Sequence, residues 1–165
     1  YPLSTIIEGG TGSASESLTQ PDFTPDRFES GTINTAGVIA LGAGAEFVRR
    51  RGTAAILSHE LDLCERFCAG VRRNPKIHLY NDITRENSEK YAPVVSFNID
   101  GMSSSNGAAR LSKRGFYMRG GLHCAPLAHR KIGTLDGGTI RFSPSVFTTS
   151  QDVDMLVREL SIISV

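Results

Sequence analysis

"GTIRFSPSVFTTSQDVDML", residues 138–156, switches its apolar period partway along, and that switch decides the fold. Up to Ser145 the stretch has the composition and length of a strand, with Arg141 in its middle. Beyond it, Thr148, Thr149 or Ser150 can cap a helix near residues 150–162, with Asp152 and Asp154 in a first turn that favours acidic side chains. Val153, Leu156, Val157 and Leu160 then recur at helical spacing and give that helix a buried side.

Working outward, strands are expected at 76–81, 92–101 and 116–121, with a helix near 104–114 between the last two. A longer helix over about 54–73 carries Leu57, Leu61, Cys64, Cys68 and Val71 along one stripe and ends in "RRNP". Another begins where Asn34 or Thr35 can cap it, repeats Val38, Leu41, Ala45 and Val48, and closes with Arg49, Arg50 and Arg51 before Gly52. Residues 1–35 are rich in Gly, Ser, Thr and Pro without either period, and read as an extended loop preceding a domain at 36–165. The expected fold class is α+β, an α/β sandwich in which a small sheet is covered by helices.

The 165 residues suit one compact domain, and 39% hydrophobic content is ordinary for a globular protein. With 18 basic against 17 acidic side chains, no net field favours nucleic acid or an anionic membrane. No apolar run is long enough to span a bilayer. Three cysteines make no disulfide framework and suit a reducing compartment, so a cytoplasmic location is expected. The chain starts at Tyr1 rather than at a methionine, which suggests that it was cut from something longer.

Cys64 and Cys68 fit small core positions on a helix. Cys124 differs, because it lies in "RGGLHCAPLAH", residues 119–129, with Arg119, His123, His129, Arg130 and Lys131 close by in sequence. Positive surroundings favour the thiolate and make the sulfur a nucleophile, while an inert, partly buried cysteine is the competing reading. A zinc site of His123, Cys124 and His129 lacks a fourth ligand and suitable spacing, so no metal is expected. Arg141 is either a solvated strand residue or, if inward, a partner for an anion, which its planar fork grips best as a carboxylate. "EGGTGS" at 8–13 and "ESGTIN" at 29–34 are Gly-Thr turns of the kind that hold phosphate oxygens, and Gly31 and Thr32 lie just ahead of a helix start.

Taken in order, "EGGTGS", "PDRFESGTINTAGVIALGAG", "VVSFNIDG", "RGGLHCAPLAH" and "GTIRFSPSVFTTSQDVDML" resemble the C-terminal part of the pyridoxal-phosphate-dependent cysteine desulfurases, of the class V aminotransferase family. The resemblance implies the small C-terminal domain of a fold-type I pyridoxal-phosphate (PLP) enzyme. It also implies an activity that takes sulfur from L-cysteine and leaves L-alanine and a persulfide on Cys124. By position, Arg141 would clamp the substrate carboxylate, and Arg119 and His123 would support the substrate or the thiolate. Gly31 and Thr32 would reach the cofactor phosphate of the neighbouring subunit in a homodimer, and residues 1–35 would dock on the missing large domain or on that subunit. A sulfur-acceptor protein is the implied partner, and a close relative acting on selenocysteine is included in the reading.

In this family the Schiff-base lysine lies upstream of the segment that begins here, and Lys76, Lys90, Lys113 and Lys131 match no cofactor-lysine motif. The chain therefore looks like a C-terminal fragment, expected to bind no PLP and to turn over no cysteine by itself. The alternative is a cofactor-independent persulfide carrier or interaction module using Cys124. A Cys-His hydrolase ranks last, since the Cys124 to His129 spacing gives no reason to expect a base and an oxyanion site.

Overall fold

The computed structural model describes residues 3–163. The chain divides into two compact units, one ending at Arg50 and one starting at Arg51.

In the first unit, a short 3-10 turn at Asp26–Phe28 precedes helix α1, Thr35–Arg51. Residues before it lack regular structure but are not featureless. The Gln20 carboxamide ties the segment together, donating to the carbonyl of Asp26 at 2.7 Å and accepting from the Gly9 amide at 2.8 Å. The Gly31 amide donates to the Gly9 carbonyl at 2.9 Å, which closes the loop on itself. Of the two possible caps of α1, Asn34 serves, its Oδ1 accepting from the Gly37 amide at 3.0 Å. The apolar repeat of α1 does not make a buried face: none of its residues is buried, and Leu41 is 74% exposed.

Among the described residues, the second unit holds four strands and four α-helices, besides a 3-10 turn at Ser88–Lys90. They are α2 (Thr53–Val71), β1 (Ile77–Leu79), β2 (Val95–Ile99), α3 (Ser104–Ser112), β3 (Arg119–Gly121), α4 (Pro126–Lys131), β4 (Thr139–Phe142) and α5 (Ser150–Ile163). The strands form one antiparallel sheet in the order β1-β2-β4-β3. Each strand is shorter than its sequence suggests, because the flanking residues leave the ladder for turns. Pro126 opens helix α4 at a position where no amide donor is needed.

Register explains the sheet's two faces. Val95, Phe97 and Ile99 of β2 point the same way as Ile140 and Phe142 of β4, and these meet α2, α3 and α5 in one core. Phe67 of α2 stacks on Phe142 at 4.6 Å and tilts against Phe97 at 5.2 Å, so one aromatic ring joins α2 to both central strands. The buried side of α2 is Leu63, Cys64, Phe67, Cys68 and Val71, while Leu57 is exposed; the stripe is rotated from the one its leucines suggest. On α5 the expected Val153, Leu156 and Leu160 are buried, with Val157 packed at the core's margin against Gly70. Thr149 caps α5 reciprocally with Asp152: the Asp152 amide donates to Thr149 Oγ1, and the Thr149 amide to Asp152 Oδ2.

The opposite face carries the intervening residues Ser96 and Asn98 of β2 and Thr139 and Arg141 of β4. It is the polar face. The fold is thus α+β, with α2, α3 and α5 packed on one face of a small sheet.

Candidate functional site

Arg119 is the first residue of β3 and pairs in register with Arg141 of β4. Cross-strand partners project to the same face, so two cationic side chains start from neighbouring positions, where like charges repel. Among the described residues neither has a carboxylate within ion-pair distance. Both line an open hollow of about 750 Å³ together with Phe116, Tyr117, Phe147 and Met155. A planar carboxylate bridging the pair would offset the repulsion and give each fork a bidentate partner.

Two residues beyond β3 the chain does something unusual for side-chain-bearing residues. His123 and Cys124 both adopt left-handed backbone conformations, at φ 50° and 59°. Each costs roughly 1–2 kcal/mol relative to a right-handed conformation, so the turn persists only because its surroundings hold it. His123 Nε2 donates to the Thr139 carbonyl at 2.9 Å. A carbonyl can only accept, which fixes the proton of the neutral ring on Nε2. Burial lowers the His123 pKa, and the nearby charges of Arg141, His129 and Arg119 lower it further, partly opposed by the Thr139 hydrogen bond. The imidazole is therefore biased to the neutral form beside the arginines.

Cys124 itself is exposed, whereas Cys64 and Cys68 are buried. Burial pushes the Cys64 thiol up to about 12 and raises Cys68 as well, which makes both poor nucleophiles at neutral pH. His129, one of the sequence neighbours of Cys124, is buried instead of presented. Its Nδ1 lies 2.7 Å from Thr134 Oγ1, and its ring is 6.0 Å from that of His123. Among the described residues no group of three His, Cys, Asp or Glu is placed to hold a metal.

The structure therefore brings His123 within electrostatic reach of Arg119 and Arg141, and Cys124 follows His123 in the chain. Gly31 and Thr32 belong to the first unit, where Gly31 takes φ 75° and its amide is engaged by Gly9. Sequence reasoning did not single out Asn98, Thr134 or Thr139. Thr139 is fully buried and its Oγ1 has no hydrogen-bond partner among the described residues, while its carbonyl holds His123. Period-two alternation in "VVSFNIDG" would have shown Asn98 on the polar face.

The residues fit PLP only in part. The hollow is lined by three arginines, Arg114, Arg119 and Arg141, and by the carboxylate of Asp152, but none of its lining residues is a lysine that could attach the aldehyde. Among the described residues no helix is long and apolar enough to cross a membrane.

Comparison with known proteins shows the family. The chain is 33% identical over 134 residues to a probable cysteine desulfurase of Methanothermobacter thermautotrophicus, covering 80% of this chain and 32% of that protein. The structure of apo cysteine desulfurase from Thermococcus onnurineus NA1 superposes with a TM-score of 0.70 at 32% identity, over 90% of this chain and 35% of that one. A K223A mutant of C-DES, with glycine covalently linked to its PLP cofactor, shares the fold at a TM-score of 0.58 and 20% identity, over 82% of this chain and 31% of that one. The chain spans about a third of the length of these relatives. The profile of the family described as Aminotransferase class-V matches residues 5–156, and the chain belongs to that family.

Proposed function

We propose that this chain is the C-terminal portion of a PLP-dependent cysteine desulfurase. The observation that supports the reading is the register pair Arg119 and Arg141, with the exposed Cys124 following soon after Arg119 in the chain. The two guanidinium groups bind the α-carboxylate of L-cysteine and orient its Cβ–S bond toward Cys124. The Cys124 thiolate attacks the substrate sulfur, a sulfur–sulfur bond forms as the Cβ–S bond breaks, and a proton at Cβ completes alanine. When bound, PLP supplies the electron sink for this cleavage. His123, biased to neutrality, adds no further positive charge to the substrate grip.

The lysine that attaches PLP is assigned to a large domain outside this chain, and the chain alone is inactive. Residues 1–35 dock on that domain or on the second subunit of a homodimer, where Gly31 and Thr32 approach the cofactor phosphate. A sulfur-acceptor protein then takes the persulfide, and three free thiols suit work in the cytoplasm.

The test is sulfur transfer in the protein that joins this chain to its lysine-bearing part. With PLP and L-cysteine, alanine should form, and mass spectrometry should find one added sulfur on the Cys124 peptide, lost in Cys124→Ser. Lack of alanine formation by that protein would overturn the reading. Uptake of sulfur from polysulfide by the chain alone, with onward transfer and no cofactor, would favour the carrier instead.

A further inference from the structure

Antiparallel pairing of β2 with β4 runs only as far as Phe97 opposite Ile140. Beyond that point the Asn98 side chain takes over from the backbone ladder. Its Nδ2 donates to the Gly138 carbonyl at 3.0 Å and to Tyr80 Oη at 3.2 Å, and its Oδ1 accepts from the Ile140 amide at 3.3 Å. The carboxamide thus grips the chain on both sides of Thr139. From elsewhere, the Gly138 amide donates to the Thr134 carbonyl at 2.7 Å. Gly138 is also pressed against Gly121, since a Cβ there would overlap the Gly121 backbone. The Thr139 carbonyl, held in this way, is the group that receives His123 Nε2.

We propose that Asn98 is a positioning residue for Cys124, acting through the Thr139 carbonyl and His123 to hold the left-handed His123–Cys124 turn. The proposal rests on reading Cys124 as the sulfur acceptor. The turn carries backbone strain at two successive residues and has to be restrained from outside. Asn98 supplies that restraint at one remove.

The molecule contains its own control. Asn81 bridges two backbone groups of the β2 region in the same manner, donating to the Val94 carbonyl at 2.7 Å and accepting from the Ser96 amide at 2.8 Å, with no link to His123. Both Asn98→Ala and Asn81→Ala remove two backbone-directed hydrogen bonds. In the 165-residue chain, the His123 midpoint is read from its ring proton resonances and the pH profile of Cys124 alkylation from peptide mapping. Besides the Thr139 carbonyl, the groups facing His123 are Arg119, His129 and Arg141, and all are retained.

The result expected is that Asn98→Ala releases the ring to solvent. Its midpoint then rises toward the ordinary imidazole value and the Cys124 profile shifts with it, while Asn81→Ala leaves both unchanged. An unmoved His123 in Asn98→Ala, or an equal shift in Asn81→Ala, overturns the proposal. If circular dichroism shows that Asn98→Ala does not fold, Asn98→Ser, which reaches at most one of the two backbone groups, takes its place under the same criteria. A shifted His123 in a protein whose Cys124 accepts no sulfur would sustain the brace and defeat the desulfurase reading.

Discussion

Arg119 and Arg141 are register partners on adjacent antiparallel strands, and neither is neutralised by a carboxylate among the described residues. Like charges directly opposite one another on a sheet are destabilising. Arg141→Gln is therefore expected to unfold slightly later in urea than the parent chain. The same substitution should weaken binding of small carboxylates, measured by calorimetry, at least tenfold. A stability gain without loss of carboxylate affinity would separate the pair from any binding role.

The left-handed turn at Cys124 leads to a second expectation. Cys124→Gly removes the steric cost of φ 59° and should stabilise the chain by about 1 kcal/mol in equilibrium denaturation, whereas Cys124→Ala should not. Equal effects of the two replacements would show that the turn is unstrained.

Thiol chemistry should be strongly selective. Iodoacetamide at pH 8 is expected to label Cys124 within minutes and to spare Cys64 and Cys68, which are buried and whose thiols are shifted upward. Labelling of all three should follow only on addition of denaturant. Peptide mapping of the native protein decides the point, and early modification of Cys64 or Cys68 would contradict the packing of α2.

His123 gives the chain a defined acid response. Its folded pKa lies below the ordinary value of 6.5, so the unfolded chain binds a proton more readily than the folded one. Its contribution to stability is complete above about pH 6.5 and declines as pH falls through the lowered folded value. His123→Gln should flatten that part of the stability profile, measured by urea midpoints between pH 7 and pH 4.5. An unchanged slope would place the acid response in the carboxylates.

Legibility of the fold followed the strength of the periods. α5 was readable because its cap, acidic first turn and buried stripe agree, and Thr149 with Asp152 realises them. α2 was readable as a helix but not in its rotation, since Phe67 and not Leu57 fills the space under the sheet. α1 shows the opposite case: its apolar repeat is plain in sequence and uncovered in the structure. In the candidate site, Cys124, Arg119, His123 and Arg141 stand out as residue types. Asn98 and Thr139 do not, because their part is played through backbone groups of residues about 40 apart in sequence, which no local pattern encodes.

Strand β3 is three residues long and lies at the margin of the sheet, with Arg119 at its start and two glycines after it. An unpaired strand margin invites another chain to add to it, and short length with a fixed charge discourages that addition. Arg119 places a fixed charge at the start of that margin. Its exchange for a neutral residue would trade a small gain in folding at high dilution for association as the protein is concentrated.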